Sequence, residues 1–165
     1  MIRILVLVFL TTICSISCLA GEAENIRVVT AMVEAINDRD LDRLDTLVAA
    51  DIVRHSAATK GVVVTNLDEF KDFLRTDFGG VPDSVITIDI IFGNSDYVAL
   101  RAIYSGTQTG QVGPFAPSGK RVELPYLGIL RIADGKISEM WVEWDNVFML
   151  TQLGHFPPVA DEQAE

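Results

Sequence analysis

Few residues in this chain could move a proton or hold a carbonyl, and they lie far apart in it. His55 ends the short run Asp51-Ile52-Val53-Arg54, where an imidazole can serve as base or donor, or can simply satisfy backbone groups at a strand end. Tyr126 shares strand parity with Leu124, Gly128 and Leu130, so its hydroxyl either points into a cavity behind that face or bonds one core carbonyl. Gln108 can orient a ligand carbonyl but cannot abstract a proton. Asp145 stands just before Asn146-Val147-Phe148-Met149-Leu150, the place of a helix N-cap, with a catalytic carboxylate as the other reading. No zinc spacing and no two-histidine helix motif can be built from His55 and His155. Gly110-Gln111-Val112-Gly113 lacks the following helix that a phosphate-cradling loop requires.

These residues need a frame, and its clearest part is a hairpin near the end of the chain. Asp134-Gly135 separates two alternating stretches, and glycine takes positive φ there without steric cost. On the second strand Met140, Val142 and Trp144 face one way, toward a core or pocket; Glu139, Trp141 and Glu143 face the other. An indole on an otherwise solvated face is best explained by a partner, with Arg101 or Arg131 near the carboxylates.

Helical spacing of Ile26, Val29, Val33 and Ile36 predicts a helix from Glu22 to Asn37, followed by a shorter one through Leu41, Leu44, Leu47 and Val48. Asp51 to His55 reads as a brief strand. Thr65-Asn66, with Asp68 and Glu69, opens a third helix carrying Leu67, Phe70, Phe73 and Leu74, which Gly79-Gly80 ends. After Pro82 the chain reads as strands: Ile86, Ile88, Ile90 and Phe92 on one face, a return along Tyr97 to Thr107, a Gly/Pro-rich loop over 110–120, then Arg121 to Ile132 and Lys136 to Trp144. Pro125 predicts an edge position or a bulge. Helices gathered before an antiparallel sheet indicate an α+β fold in which a curved sheet wraps on the N-terminal helices and leaves a conical cavity.

The 165 residues suffice for one domain. Residues 1–20, with Arg3, the apolar run Ile4 to Leu10 and small residues up to Ala20, read as a secretory signal. An apolar core of about ten residues is short of the roughly twenty that span a bilayer, so no integral membrane association is expected after cleavage. Both cysteines, Cys14 and Cys18, fall inside this segment; lipid anchoring at Cys18 is a minority reading beside export to the periplasm or exterior. Residues 22–155 then form the domain and 156–165 a tail. A net charge of −10 makes nucleic acid an unfavourable partner.

Asp51-Ile-Val-Arg-His55, Gly106-Thr107-Gln108-Thr109-Gly110, Pro117-Ser118-Gly119-Lys120, Arg131-Ile-Ala-Asp-Gly-Lys-Ile137, Glu139-x-Trp141-x-x-x-Asp145 and Gln152-Leu-Gly154 occur in an order that resembles the SnoaL-like polyketide cyclases, or ester cyclases, of the nuclear transport factor 2-like superfamily. The resemblance implies a cone-shaped α+β barrel with an apolar pocket, often a homodimer through the outer sheet face. It also implies intramolecular aldol ring closure on a polyketide ester without metal or organic cofactor. Many members read Glu-His-Trp-Asp-x-x-Asp where this chain reads Glu139-Met140-Trp141-Val142-Glu143-Trp144-Asp145. The family's acid/base carboxylate thus falls on Val142, and its Gly-Thr-His-x-Gly histidine becomes Gln108. Ring closure by that mechanism lacks these ionisable groups.

Three readings follow. One is an exported cyclase, isomerase or hydrolase-like enzyme acting on a small apolar carbonyl compound, with His55 as base and Tyr126 or Gln108 polarising the oxygen. Another is a carrier whose cavity is lined by Phe70, Phe73, Met140, Val142 and Trp144. The third is a structural dimer joined through the face of Trp141.

Overall fold

The computed structural model describes residues 21–59 and 61–156; the expected signal segment and most of the tail lie outside them. Helix α1 covers residues 21–37, α2 Leu44–Leu47, and β1 Val48–His55. Helix α3, Leu67–Gly80, precedes β2, Val85–Gly93, and β3, Tyr97–Thr107; β4, Arg121–Ala133, and β5, Lys136–Trp144, lead to α4, Asn146–Leu153. The second helix is shorter than its spacing predicts because Val48 pairs with Ile137 as the first residue of β1.

The five strands form one sheet in the order β1-β5-β4-β3-β2. It is mixed, not wholly antiparallel: β1 lies parallel to β5 at one edge, the other pairs are antiparallel, and the sheet stays open. Between β4 and β5 both Asp134 (φ 51°) and Gly135 (φ 73°) are left-handed, as a two-residue hairpin turn with matching twist requires. Pro125 lies on a central strand, yet the β4–β5 ladder starts only at Tyr126↔Trp144, so its missing N–H costs no sheet bond on that side.

Capping sets the helix ends. The Asn66 side chain accepts from the Glu69 N–H at 2.9 Å and Glu69 accepts from the Thr65 N–H at 2.7 Å, opening α3 with the reciprocal bonds its sequence suggests. Asp145 caps α4 by accepting from the Phe148 N–H at 2.9 Å, and Gly154 ends it at φ 76°.

One face of the sheet packs on α1 and α3 through Val29, Val33, Phe70, Leu74, Val98, Leu100, Leu130 and Met140. Two bulges decide which apolar residues reach that face. In β2 the register shifts between Ile88 and Ile90, so Ile86, Ile88 and Ile91 pack inward while Ile90 and Phe92 turn outward, against the simple alternation of the sequence. In β5 the extra residue Ser138 lets both Ile137 and Met140 be buried.

Candidate functional site

Between the sheet and the helices lies an apolar cavity of about 160 Å³. Its walls include Phe70, Phe73, Met140, Val142 and Trp144, all five of the apolar lining residues named from the sequence. Tyr126 lines it too, and burial pushes its phenol above the usual range. No hydrogen bond from its hydroxyl is found among the described residues, so the group is free to meet a ligand.

The other sequence candidates lie elsewhere. Along β1 the side chains alternate, so Ile52 and Arg54 point inward and His55 stands on the outer face. There His55 stacks on Trp141, 5.2 Å between ring centroids, and its Nε2 lies 2.9 Å from Glu139. The His55 and Arg131 contacts together hold the Glu139 carboxyl below its ordinary range, the His55 hydrogen bond contributing most. Arg131 supplies the expected basic partner at 3.1 Å, whereas Arg101 pairs with Asp89 instead.

Gln108 is fully buried but does not line the cavity. Its Nε2 donates to the Ala116 carbonyl at 3.1 Å, which leaves Oε1 to accept from His155 Nε2 at 2.9 Å. His155 also stacks on Phe115. Gln108 therefore ties the 110–120 loop to the end of α4, the work of a structural amide. Gly110 allows this loop to approach α3: an added Cβ would lie 1.9 Å from the Gly79 carbonyl. Asp145, as the α4 cap, is likewise absent from the cavity wall.

The ionisable groups that do line the cavity are Arg39, Arg54 and Asp77, with the phenols of Tyr104 and Tyr126. Asp77, on α3, receives the Tyr104 hydroxyl at 3.0 and 3.1 Å from its two oxygens. Burial pushes its carboxyl up to about 6, against the opposing pull of the Tyr104 bond and the Arg39 charge. Arg39, left-handed at φ 62° just beyond α1, sends its guanidinium to the carbonyls of Ile36, Pro82 and Ser84 and stacks over Phe78 at 4.1 Å. Among the described residues no group of three His, Cys, Asp or Glu side chains could hold a metal ion.

A sequence model described as SnoaL-like polyketide cyclase matches residues 26–153. The chain belongs to the SnoaL-like polyketide cyclase family. IdmH, a candidate polyketide cyclase from Streptomyces antibioticus, shares 29% identity over 79% of this chain and 98% of its own, with a TM-score of 0.69. A SnoaL-like polyketide cyclase from Agrobacterium tumefaciens shares 22% over 77% of this chain and 95% of its own, TM-score 0.65. An LEH-like epoxide hydrolase from M. tuberculosis shares 20% over 80% of this chain and 90% of its own, TM-score 0.64. The last two likenesses concern the fold alone. No curated protein matches the chain.

Within this SnoaL-like chain, Val142 does face the cavity from β5, an apolar side chain at the position where the resemblance implies a carboxylate. Asp77 and Arg54 escaped the sequence reading. Asp77 sits on a helix rich in acidic residues, where a carboxylate looks solvated, and Arg54 precedes the more conspicuous His55. Parity on β1 was the available signal for Arg54, since Ile52 is an evident core residue two positions earlier.

Proposed function

We propose that this SnoaL-like protein binds a small carbonyl or polyketide-like compound in the cavity and that Asp77 exchanges a proton with the carbon beside the carbonyl. That exchange is the opening step of an intramolecular aldol ring closure. The observation that carries this reading is Asp77 itself: it is the one carboxylate among the cavity-lining residues, and burial brings it to about 6, where it can both take and return a proton near neutral pH. Tyr104 positions the carboxylate through its hydroxyl. The Tyr126 hydroxyl, facing the same cavity, is the donor for the oxygen that gains charge.

The apolar wall at Met140 and Val142 favours a second reading, a carrier that binds such a compound and leaves it unchanged. Deuterium incorporation into 2-tetralone in heavy water, followed by NMR, separates the two. An enzyme accelerates exchange with saturation, and Asp77→Asn lowers the rate by about 10²-fold or more. Exchange at the buffer rate in the wild-type protein sinks the catalytic reading and leaves the carrier.

A further inference from the structure

Arg54 is only 8% exposed and lines the cavity from β1. Its guanidinium carbon lies over the Phe73 ring at 4.3 Å from the centroid and over the Trp144 ring at 5.9 Å, so two aromatic faces attract the cation. Its hydrogen bonding is sparse by comparison with Arg39. Arg39 bonds the carbonyls of Ile36, Asn37, Pro82 and Ser84 and the Ser84 hydroxyl, whereas the Arg54 side chain makes one bond among the described residues, from Nη1 to Thr59 Oγ1 at 2.9 Å.

No carboxylate pairs with Arg54 among the described residues. The charge that acts on it is that of Glu143, whose two oxygens are taken by the Ala57 and Ala58 N–H groups at 2.7 and 3.1 Å. Desolvation pulls the Arg54 pKa down, and the Glu143 charge opposes it. A guanidinium carries five donors in a planar fork and stays ionised in proteins. Burying one with so few acceptors is costly unless something else supplies them. Most of the rest of the wall is apolar, its other cation, Arg39, is held by backbone carbonyls, and the only cavity carboxylate, Asp77, is bonded to Tyr104.

We propose that Arg54 is the anion-recognition group of the cavity and that the ligand is an apolar carbonyl compound bearing a carboxylate. The carboxylate is taken by the free N–H groups of the fork, while the cation–π contacts with Phe73 and Trp144 hold the guanidinium in place. This rests on the reading of the cavity as a ligand site, but it concerns binding and not proton transfer.

Calorimetric titration of the protein with 2-naphthoate and with its neutral isostere 2-naphthamide tests it. The expected result is binding of 2-naphthoate at least about tenfold tighter than 2-naphthamide, with the two equal in Arg54→Met. Equal affinities in the wild-type protein, or a preference that survives in Arg54→Met, overturn the assignment while the ligand cavity stands. Binding of neither probe removes the ligand cavity and this assignment with it. If Arg54→Met does not fold, the Arg54 Nε–H resonance of the labelled wild-type protein decides: it must shift on addition of 2-naphthoate and not of 2-naphthamide, and an unmoved resonance overturns the assignment.

Discussion

The Tyr104 hydroxyl donates to the Asp77 carboxylate, 3.0 and 3.1 Å from its two oxygens, and joins β3 to α3 in the wall of an apolar cavity. The contact favours the ionised carboxylate, yet burial prevails and the group titrates near 6, well above the ordinary 3.8. The phenol is raised as well, by burial and by the neighbouring carboxylate acting together.

The raised pKa makes a linked stability prediction. The folded state holds the Asp77 proton better than the unfolded chain does, so the contribution is most favourable below pH 3.8 and is lost as pH rises through about 6. Above that, the buried charge costs on the order of 3 kcal/mol. In urea denaturation, Asp77→Asn should therefore gain stability relative to wild type between pH 4 and pH 7.5, with most of the gain in that interval. Tyr104→Phe removes a bond to the charged form, so the Asp77 carboxyl resonance should titrate above 6 in that variant. An Asp77→Asn difference that does not vary with pH would contradict the burial argument.

Val142 offers a test of the cavity wall. Its side chain faces the cavity beside Met140 and Trp144, so Val142→Asp places a second carboxyl in apolar surroundings. The expected loss is about 2–4 kcal/mol at pH 7.5, smaller at pH 5 because the new group protonates. Denaturation at the two pH values measures it.

His55 should be dispensable for proton exchange. It stands on the outer face against Trp141 and Glu139, and the cavity lies behind the strand. His55→Ala is expected to leave 2-tetralone exchange at the wild-type rate. A loss as large as that of Asp77→Asn would require a different path for the proton.

The outer sheet face is expected to join two copies of the chain. Leu127 (62% exposed) and Ile129 (48%) stand on the β4 outer face, and Ile129 pairs directly with Trp141. Together they form an apolar surface that a second copy would cover. Sedimentation at micromolar concentration should show a dimer, and Leu127→Glu should shift it toward monomer. A wild-type protein that stays monomeric over that range removes this expectation.

Export remains an expectation from residues 1–20. N-terminal sequencing of protein recovered from the expressing cell should find a start between Cys18 and Glu22. A chain starting at Met1 would refute it.

Much of the fold was legible because its signals are local. The Asp134-Gly135 turn, the Asn66 and Asp145 caps and the inward set Met140, Val142 and Trp144 each follow from a few neighbouring residues. The cavity's apolar walls were legible for the same reason. Of its polar groups Tyr126 was legible by strand parity, whereas Asp77 and Arg54 were not. Gln108 resembled a ligand contact by its motif, but what it meets is set by a loop and a C-terminal residue 47 positions away.

What this chain determined by itself was the order of its elements, the turn and cap chemistry and which strand faces are apolar, since each depends on backbone geometry over a few residues. Tertiary structure alone decided where the bulges at Ile88/Ile90 and Ser138 shift the inward face, and so which isoleucines are core. It also decided that β1 adds in parallel beside β5, which sets the face shared by Ile52 and Arg54 against the cavity and leaves His55 outside. The Asp77 pKa belongs to the same class. Desolvation depends on everything packed around the carboxyl, from α1, α3 and β3 alike, and no stretch of sequence around residue 77 contains that information.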